Sequence, residues 1–171
     1  MPSDAKANQF AEFYSHSYRR LVAELTLVVG SRSEAEDVAQ DTFARAWVRW
    51  SRLHDFDQPH AWVRRVGYNA AIDRLRAHHR FLRFRHKLAQ PETQAGVSAD
   101  WVDLQAALAT LSPQQRAALV LTAVAGLTTE EAATHLDVPP ATLRSWLHRA
   151  RTAIAGSTID TPAASEVPHV S

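Results

Sequence analysis

Between Leu127 and Ile154 the chain reads LTTEEAATHLDVPPATLRSWLHRARTAI, and the adjacent Pro139 and Pro140 leave few ways to fold it. Proline has no N–H and cannot continue a helix, so a helix begun near Thr128 must end before Pro139. Thr128 and Glu131 have the spacing of a capping box, in which each side chain satisfies the other residue's free backbone N–H. Pro140 suits the first position of a new helix, where the missing N–H costs nothing. From there Leu143, Leu147, Ala150 and Ile154 form one apolar stripe. Arg144, Ser145, His148, Arg149 and Arg151 fall mostly off it. A short helix, a tight turn and a second helix with a basic outer face have the layout of a DNA-reading helix-turn-helix. An ordinary antiparallel helix pair with solvated arginines fits this stretch equally well, so the rest of the chain has to decide.

Glycine is scarce, at 5 of 171 residues, and no strand-like alternation is visible, so an all-α protein is expected. Cysteine is absent, which excludes a disulfide framework and thiolate zinc sites and fits a reducing cytoplasm. No signal peptide is expected in MPSDAKANQF, and no apolar run approaches the roughly 20 residues of a membrane span. Cytoplasmic localisation without membrane insertion is therefore expected. The formal charge of +1 conceals a basic block. Residues 61–90 carry eight Arg or Lys against the single acid Asp73, whereas residues 1–60 are slightly acidic. Such a block points to a polyanion held at one place, the alternative being an arginine-rich solvated linker.

Residues 1–8 are expected to be a disordered tail, followed by a helix over 9–29 that ends at Gly30. Ser33 and Glu36 read as another capping box, starting a helix that turns Ala35, Val38, Ala39, Thr42, Phe43, Ala46 and Trp50 inward. Its outer side carries Asp37, Gln40, Asp41, Arg45 and Arg49. A polar loop covers 51–58, anchored by Leu53 and Phe56. Pro59 opens a long helix that frays after Arg80. It is apolar on two sides, with a polar strip of Arg65, Asn69, Asp73 and Arg76 between them. Residues 81–100 turn polar and Pro/Gly-rich, as a flexible linker does. A second helical unit follows over 101–157, including a capped start at Ser112-Pro113-Gln115. Residues 158–171 bury too little to fold. Two small helical domains, 9–80 and 101–157, each with a candidate DNA surface, imply bipartite DNA binding.

Four strings carry a family resemblance: AEDVAQDTFARAW at 35–47, AWVRRVGYNAAIDRLR at 61–76, LATLSPQQRAALVL at 108–121, and GLTTEEAATHLDV with TLRSWLHRAR over 126–151. In this order and spacing they resemble the extracytoplasmic-function (ECF, group 4) sigma factors of bacterial RNA polymerase. The resemblance implies a first domain that docks on a coiled coil of the polymerase largest subunit through Asp37, Gln40, Asp41, Phe43 and Trp47. Plain core packing is the competing reading for Phe43 and Trp47.

The resemblance further implies that the 51–60 loop and the next helix capture an unstacked base of the −10 promoter element. His60, Trp62, Arg65, Asn69 and Asp73 are the candidates, with Arg74, Arg76 and Arg80 on backbone phosphates. An amide and a carboxylate read base edges and arginine holds phosphate. Unstacking costs a few kcal/mol, and aromatic stacking returns roughly 1–3 kcal/mol per base. Melting is therefore expected to need the polymerase as well.

The second domain is expected to read the −35 element as duplex through Thr142, Arg144, Ser145, Trp146, His148 and Arg149, with Thr142 on phosphate. Three positions depart from the family pattern. Pro139 replaces the usual serine cap, Asp137 replaces the turn glycine, and Trp146 stands where a basic residue is usual. An anti-sigma protein is the further partner the resemblance implies, although no residue identifies one. No cofactor, metal site or catalytic constellation is expected: there is no His-Glu-x-x-His pattern and no Gly-rich phosphate loop. The competing class is a helix-turn-helix regulator that binds a duplex operator without joining the polymerase.

Overall fold

A computed structural model describes residues 4–53, 58–84 and 98–159, and these residues form eight α-helices. The N-terminal unit holds α1 (Asp4–Val29), α2 (Arg32–Val48), the single turn α3 (Trp50–Leu53) and α4 (Pro59–Phe84). The C-terminal unit holds α5 (Ala99–Ala109), α6 (Pro113–Ala123), α7 (Thr129–Leu136) and α8 (Pro140–Ile159).

Several boundaries differ from those expected. Residues 4–8, expected as part of a disordered tail, are the first turn of α1. The cap of α2 is Ser31, whose hydroxyl accepts from the Glu34 N–H, and Ser33 lies inside the helix. Residues 51–53, expected as loop, join Trp50 in a helical turn, because Trp50 and Leu53 both turn inward and are buried. α4 continues through residue 84, and α5 begins at Ala99 behind the Ser98 cap, so both helices extend into the span read as linker. α8 runs to Ile159, two residues past the expected end. Phe56 and most of the 81–100 span lie outside the described residues.

The termination signals work as the residue types dictate. Gly30 and Gly126 adopt φ +82° and +73°, the left-handed conformation that glycine takes without a Cβ clash. Both capping boxes of the C-terminal unit form: Ser112 with Gln115, and Thr128 with Glu131. The Glu131 carboxylate accepts from the Thr128 N–H at 2.8 Å, which holds its pKa below the usual carboxylate value.

α1, α2 and α4 pack pairwise around Leu21, Leu25, Val28, Val38, Phe43, Tyr68 and Leu75. At Gly67 an added Cβ would meet Leu21 Cδ2 at 3.3 Å, so glycine permits the close approach of α4 to α1. Glu24, 3% exposed, is the charged centre of this packing. Its carboxylate accepts from Arg20 Nε (3.1 Å), from Arg64 Nε and Nη2 (3.1 and 3.0 Å) and from Tyr68 Oη (3.2 Å). A buried charge this fully hydrogen-bonded is tolerated where an unpaired one is not. Burial, and then the Glu24 charge, pushes the Tyr68 phenol well above its usual pKa.

The two units also pack on each other. α6 rests on α1 and α4, and α7 rests on α4. One contiguous cluster of buried side chains therefore runs from Phe13 in α1 to Leu147 in α8. Arg116 of α6, 5% exposed, donates from Nη1 to the Val28 carbonyl at the end of α1 at 2.9 Å. A cation at a helix C-terminus meets the negative end of the helix dipole.

Candidate nucleic-acid interface

The polar strip of α4 forms one wall of an open pocket of about 350 Å³, near the lower end of the ~300–1,000 Å³ typical of small-ligand sites. Trp62, Arg65, Val66, Asn69, Ala70 and Asp73 line it from α4, and Arg45 lines it from α2. Helical spacing produces this set. Trp62, Arg65, Asn69 and Asp73 are three or four apart and share a face. The half-buried Trp62 is part of the lining, and the Arg49 guanidinium lies 6.0 Å from its ring centre, within cation–π range. The pocket thus combines an aromatic face, an amide, a carboxylate and two guanidinium groups. That is the donor and acceptor inventory for stacking on a base, reading its edge and holding its phosphate.

Sequence reasoning missed Arg45 and Arg49 here. Both sit on the outer face of the α2 segment with the docking candidates. Their spacing of four puts them on one face of that segment, and only the packing of α2 on α4 brings Arg45 to the pocket.

Other −10 candidates lie elsewhere. His60 does not line the pocket. Its Nδ1 shares a 2.9 Å hydrogen bond with Ser17 Oγ and its ring is 4.8 Å from Phe13, so this exposed side chain leans on α1. Partial desolvation, with Arg64, Arg20 and His16 nearby, holds its pKa below the usual histidine value. Arg74 does not line the pocket and pairs with Asp37 of α2 at 3.2 Å. Arg76 pairs with Asp73 at 3.5 Å, and Arg80 is exposed farther along the helix.

On the proposed docking helix, Asp37, Gln40 and Asp41 are exposed, as a contact surface needs. Phe43 is not: at 2% exposure it is core. It packs among Phe10, Phe13, Tyr14 and Tyr18, with ring centres 5.0–6.5 Å away. The expectation that Phe43 contacts a partner is corrected accordingly. Trp47, one helical turn on, is 38% exposed and 5.0 Å from Phe10, at the edge of the same aromatic cluster.

In the helix-turn-helix, α7 ends at Asp137, the one non-glycine residue with positive φ (+55°) among the described residues. The Pro139 carbonyl accepts from the Thr142 and Leu143 N–H groups and starts α8 without a side-chain cap. Leu143, Leu147 and Ala150 are buried, which leaves Arg144, His148 and Arg149 exposed. Arg144 reaches back to Glu130 at 3.4 Å, and Thr142 and Ser145 are half-buried at the margin. Trp146 packs against the core, so it anchors α8 instead of joining its outer face.

The two units match known families separately. Residues 13–81 match "Sigma-70 region 2" and residues 101–154 match "Sigma-70, region 4". The chain belongs to the sigma-70 family, in its extracytoplasmic-function (ECF) group. It is 34% identical over 135 residues to the ECF RNA polymerase sigma factor SigE of Mycolicibacterium smegmatis, covering 71% of this chain but 51% of that longer protein. It is 31% identical over 134 residues to the ECF RNA polymerase sigma factor SigL of Mycobacterium tuberculosis, covering 72% and 73% of the two chains. Among solved structures, the fold resembles the sigma factor RpoE in complex with the anti-sigma factor NepR from Bartonella quintana. There the TM-score is 0.71 at 23% identity, over 90% of this chain and 98% of that one. It also resembles CnrH in complex with the cytosolic domain of CnrY, with TM-score 0.64, 24% identity, and 92% and 91% coverage.

Proposed function

We propose that this sigma factor binds core RNA polymerase through the exposed face of α2 and carries it to a two-part promoter. α8 reads the upstream element as duplex, and the α2–α4 pocket holds a base or backbone segment of the separated −10 strand. The observation that carries the strand site is the gathering of Arg45, Trp62, Arg65, Asn69 and Asp73 around one opening. A duplex-only regulator has no need of an opening lined by an aromatic ring, an amide and a carboxylate, and the matches to both sigma-70 regions favour the polymerase subunit.

Each step has its own residues. Asp37, Gln40, Asp41 and Trp47 present a small polar patch with an aromatic rim, a composition suited to a compact protein interface. Arg149 and Arg144 offer bidentate donors to guanine in the major groove, and His148 lies beside them. Asn69 and Asp73 offer base-edge contacts, while Arg45 and Arg65 neutralise phosphate. The chain supplies recognition and leaves synthesis to the polymerase, and it works where the polymerase does, in the cytoplasm. An anti-sigma protein is the second class of partner, since the structurally similar RpoE is seen bound to the anti-sigma factor NepR. No helix among the described residues is long and apolar enough to cross a membrane.

The test is strand binding by the holoenzyme. Asn69→Ala and Arg45→Ala are expected to weaken binding to a single-stranded −10 oligonucleotide while leaving polymerase association intact. Unchanged strand affinity in both variants would remove the pocket from the account.

A further inference from the structure

The two carboxylates in the first turn of α7 have different duties. Glu131 closes the capping box, accepting from the Thr128 N–H and hydroxyl at 2.8 and 2.9 Å. Glu130 takes no part in that cap. Its side chain reaches across the helix-turn-helix, and its Oε1 accepts from Arg144 Nη1 on α8 at 3.4 Å. Among the described residues, Arg144 is the one arginine of α8 that pairs with a carboxylate.

Arginine carries five N–H donors in a rigid plane. Its Nε–H and one Nη2–H lie parallel along a single edge, a fork that fits the O6 and N7 acceptors of guanine. Glu130 takes Nη1, on the other side of the group. Neither Nε nor Nη2 of Arg144 has a hydrogen-bond partner among the described residues, so the fork stays free.

We propose that Glu130 is a positioning residue for base reading: it tethers the Arg144 guanidinium by Nη1 and leaves the Nε–Nη2 edge to face a guanine of the upstream element. This rests on the duplex-reading role of α8 proposed above and deepens it to the residue that sets its selectivity.

The packing beneath the pair fixes where its two members start. Ala132, Ala133 and Leu136 of α7 are buried in one cluster with Leu143 and Leu147 of α8, so the two backbones hold a set separation. A free arginine loses rotamer freedom when it pairs with a base, and a tethered one has lost part of it already.

In water the tether is weak, because the Arg144 and Glu130 side chains are 60% and 68% exposed. A major groove that receives α8 excludes water around the pair, and the attraction strengthens as the local dielectric falls. Glu130 acts on the wrong sequences too. The first helix of a helix-turn-helix crosses the DNA backbone, where a carboxylate repels phosphate whatever the bases are. The same side chain thus favours one base contact and penalises non-specific ones, the two components of selectivity.

The experiment uses the full chain assembled with core polymerase. The probe is a duplex DNA pool randomised over the upstream element, with base preferences read by sequencing the retained DNA. Arg144→Ala marks the position whose guanine preference depends on that residue. At that position Glu130→Ala is expected to lower the guanine preference about two- to fivefold, the range open to an exposed pair. The other positions keep their preferences, and total retention of the pool stays level or rises. Glu130→Gln keeps an acceptor oxygen and is expected to restore the preference. An unchanged preference in Glu130→Ala, an equal loss at every position, or no recovery in Glu130→Gln overturns the positioning role and leaves the reading of duplex by α8 standing. If no position responds to Arg144→Ala, both are overturned.

Discussion

Arg74 on α4 donates to the Asp37 carboxylate on α2 across 3.2 Å, with both side chains half in water. The pair joins a residue proposed to meet the polymerase with one proposed to meet DNA. As an exposed pair it contributes about 0–1 kcal/mol to the fold, so either member exchanges partners cheaply. Replacing Asp37 and Gln40 together by Ala is expected to abolish co-purification with core polymerase. The released Arg74 leaves strand affinity unchanged or raised in a fluorescence anisotropy titration. Normal co-purification of the double variant would contradict the docking face.

Phe43 and Trp47 separate core from surface within one helical turn. Phe43→Ala opens a cavity inside the aromatic cluster and is expected to destabilise the fold by about 3–5 kcal/mol. Trp47→Ala, at the rim, is expected to change stability much less while weakening polymerase association. Urea unfolding and a pull-down on the same two proteins check this, and equal destabilisation by both would refute the division.

Glu24 holds Arg20, Arg64 and Tyr68 together under α4. Its removal leaves the half-buried Arg64 guanidinium without its counter-charge and the buried Tyr68 hydroxyl without its acceptor. Glu24→Ala is expected to cost roughly 3–5 kcal/mol, as breaking a buried pair does. A urea midpoint within error of the parent would show that the network contributes nothing.

His60 gives the fold a pH dependence of defined sign. Its folded-state pKa lies below the ordinary value, chiefly because partial desolvation of this largely exposed ring disfavours the imidazolium. As pH falls through about 6.5, the unfolded chain takes up the proton before the folded one. Stability is therefore complete above that pH and declines below it, until the folded-state pKa is reached. His60→Gln is expected to lose less stability than the parent between pH 7.5 and 5.5. Identical losses would exclude His60 as a contributor.

Arg149 stands exposed on α8, one turn beyond the half-buried Ser145. Arg149→Ala is expected to weaken binding to the upstream duplex element by about 1–3 kcal/mol. Polymerase binding is expected to stay intact, and an unaltered footprint over −35 would strike the residue from the reading set.

The helices were legible wherever termination has a local cause. Gly30, Gly126 and the Pro139-Pro140 step act within a few residues, and the two C-terminal capping boxes are short patterns. The polar strip of α4 was legible from periodicity alone. Periodicity does not tell which of several inward-facing side chains a distant helix will cover. The inward turn of Phe43 was legible in the α2 string, but the rings that cover it, Phe10 and Phe13 of α1, lie some thirty positions away and were not. The bond between His60 and Ser17 of another helix was not legible for the same reason. The opposite pocket wall, Arg45, is supplied by α2, and only the packing of α2 on α4 brings it there. The contacts of Asp137 and Gln114 with α4 join residues whose separation in sequence no local pattern spans.

Run-off transcription with purified core polymerase on a genomic promoter library tests the central claim most directly. The account predicts transcripts that appear only when the chain is added, that share a two-part upstream motif, and that are lost in the Asn69→Ala variant. A chain that yields no dependent transcripts and no association with core polymerase, yet occupies a duplex site tightly by itself, would contradict it.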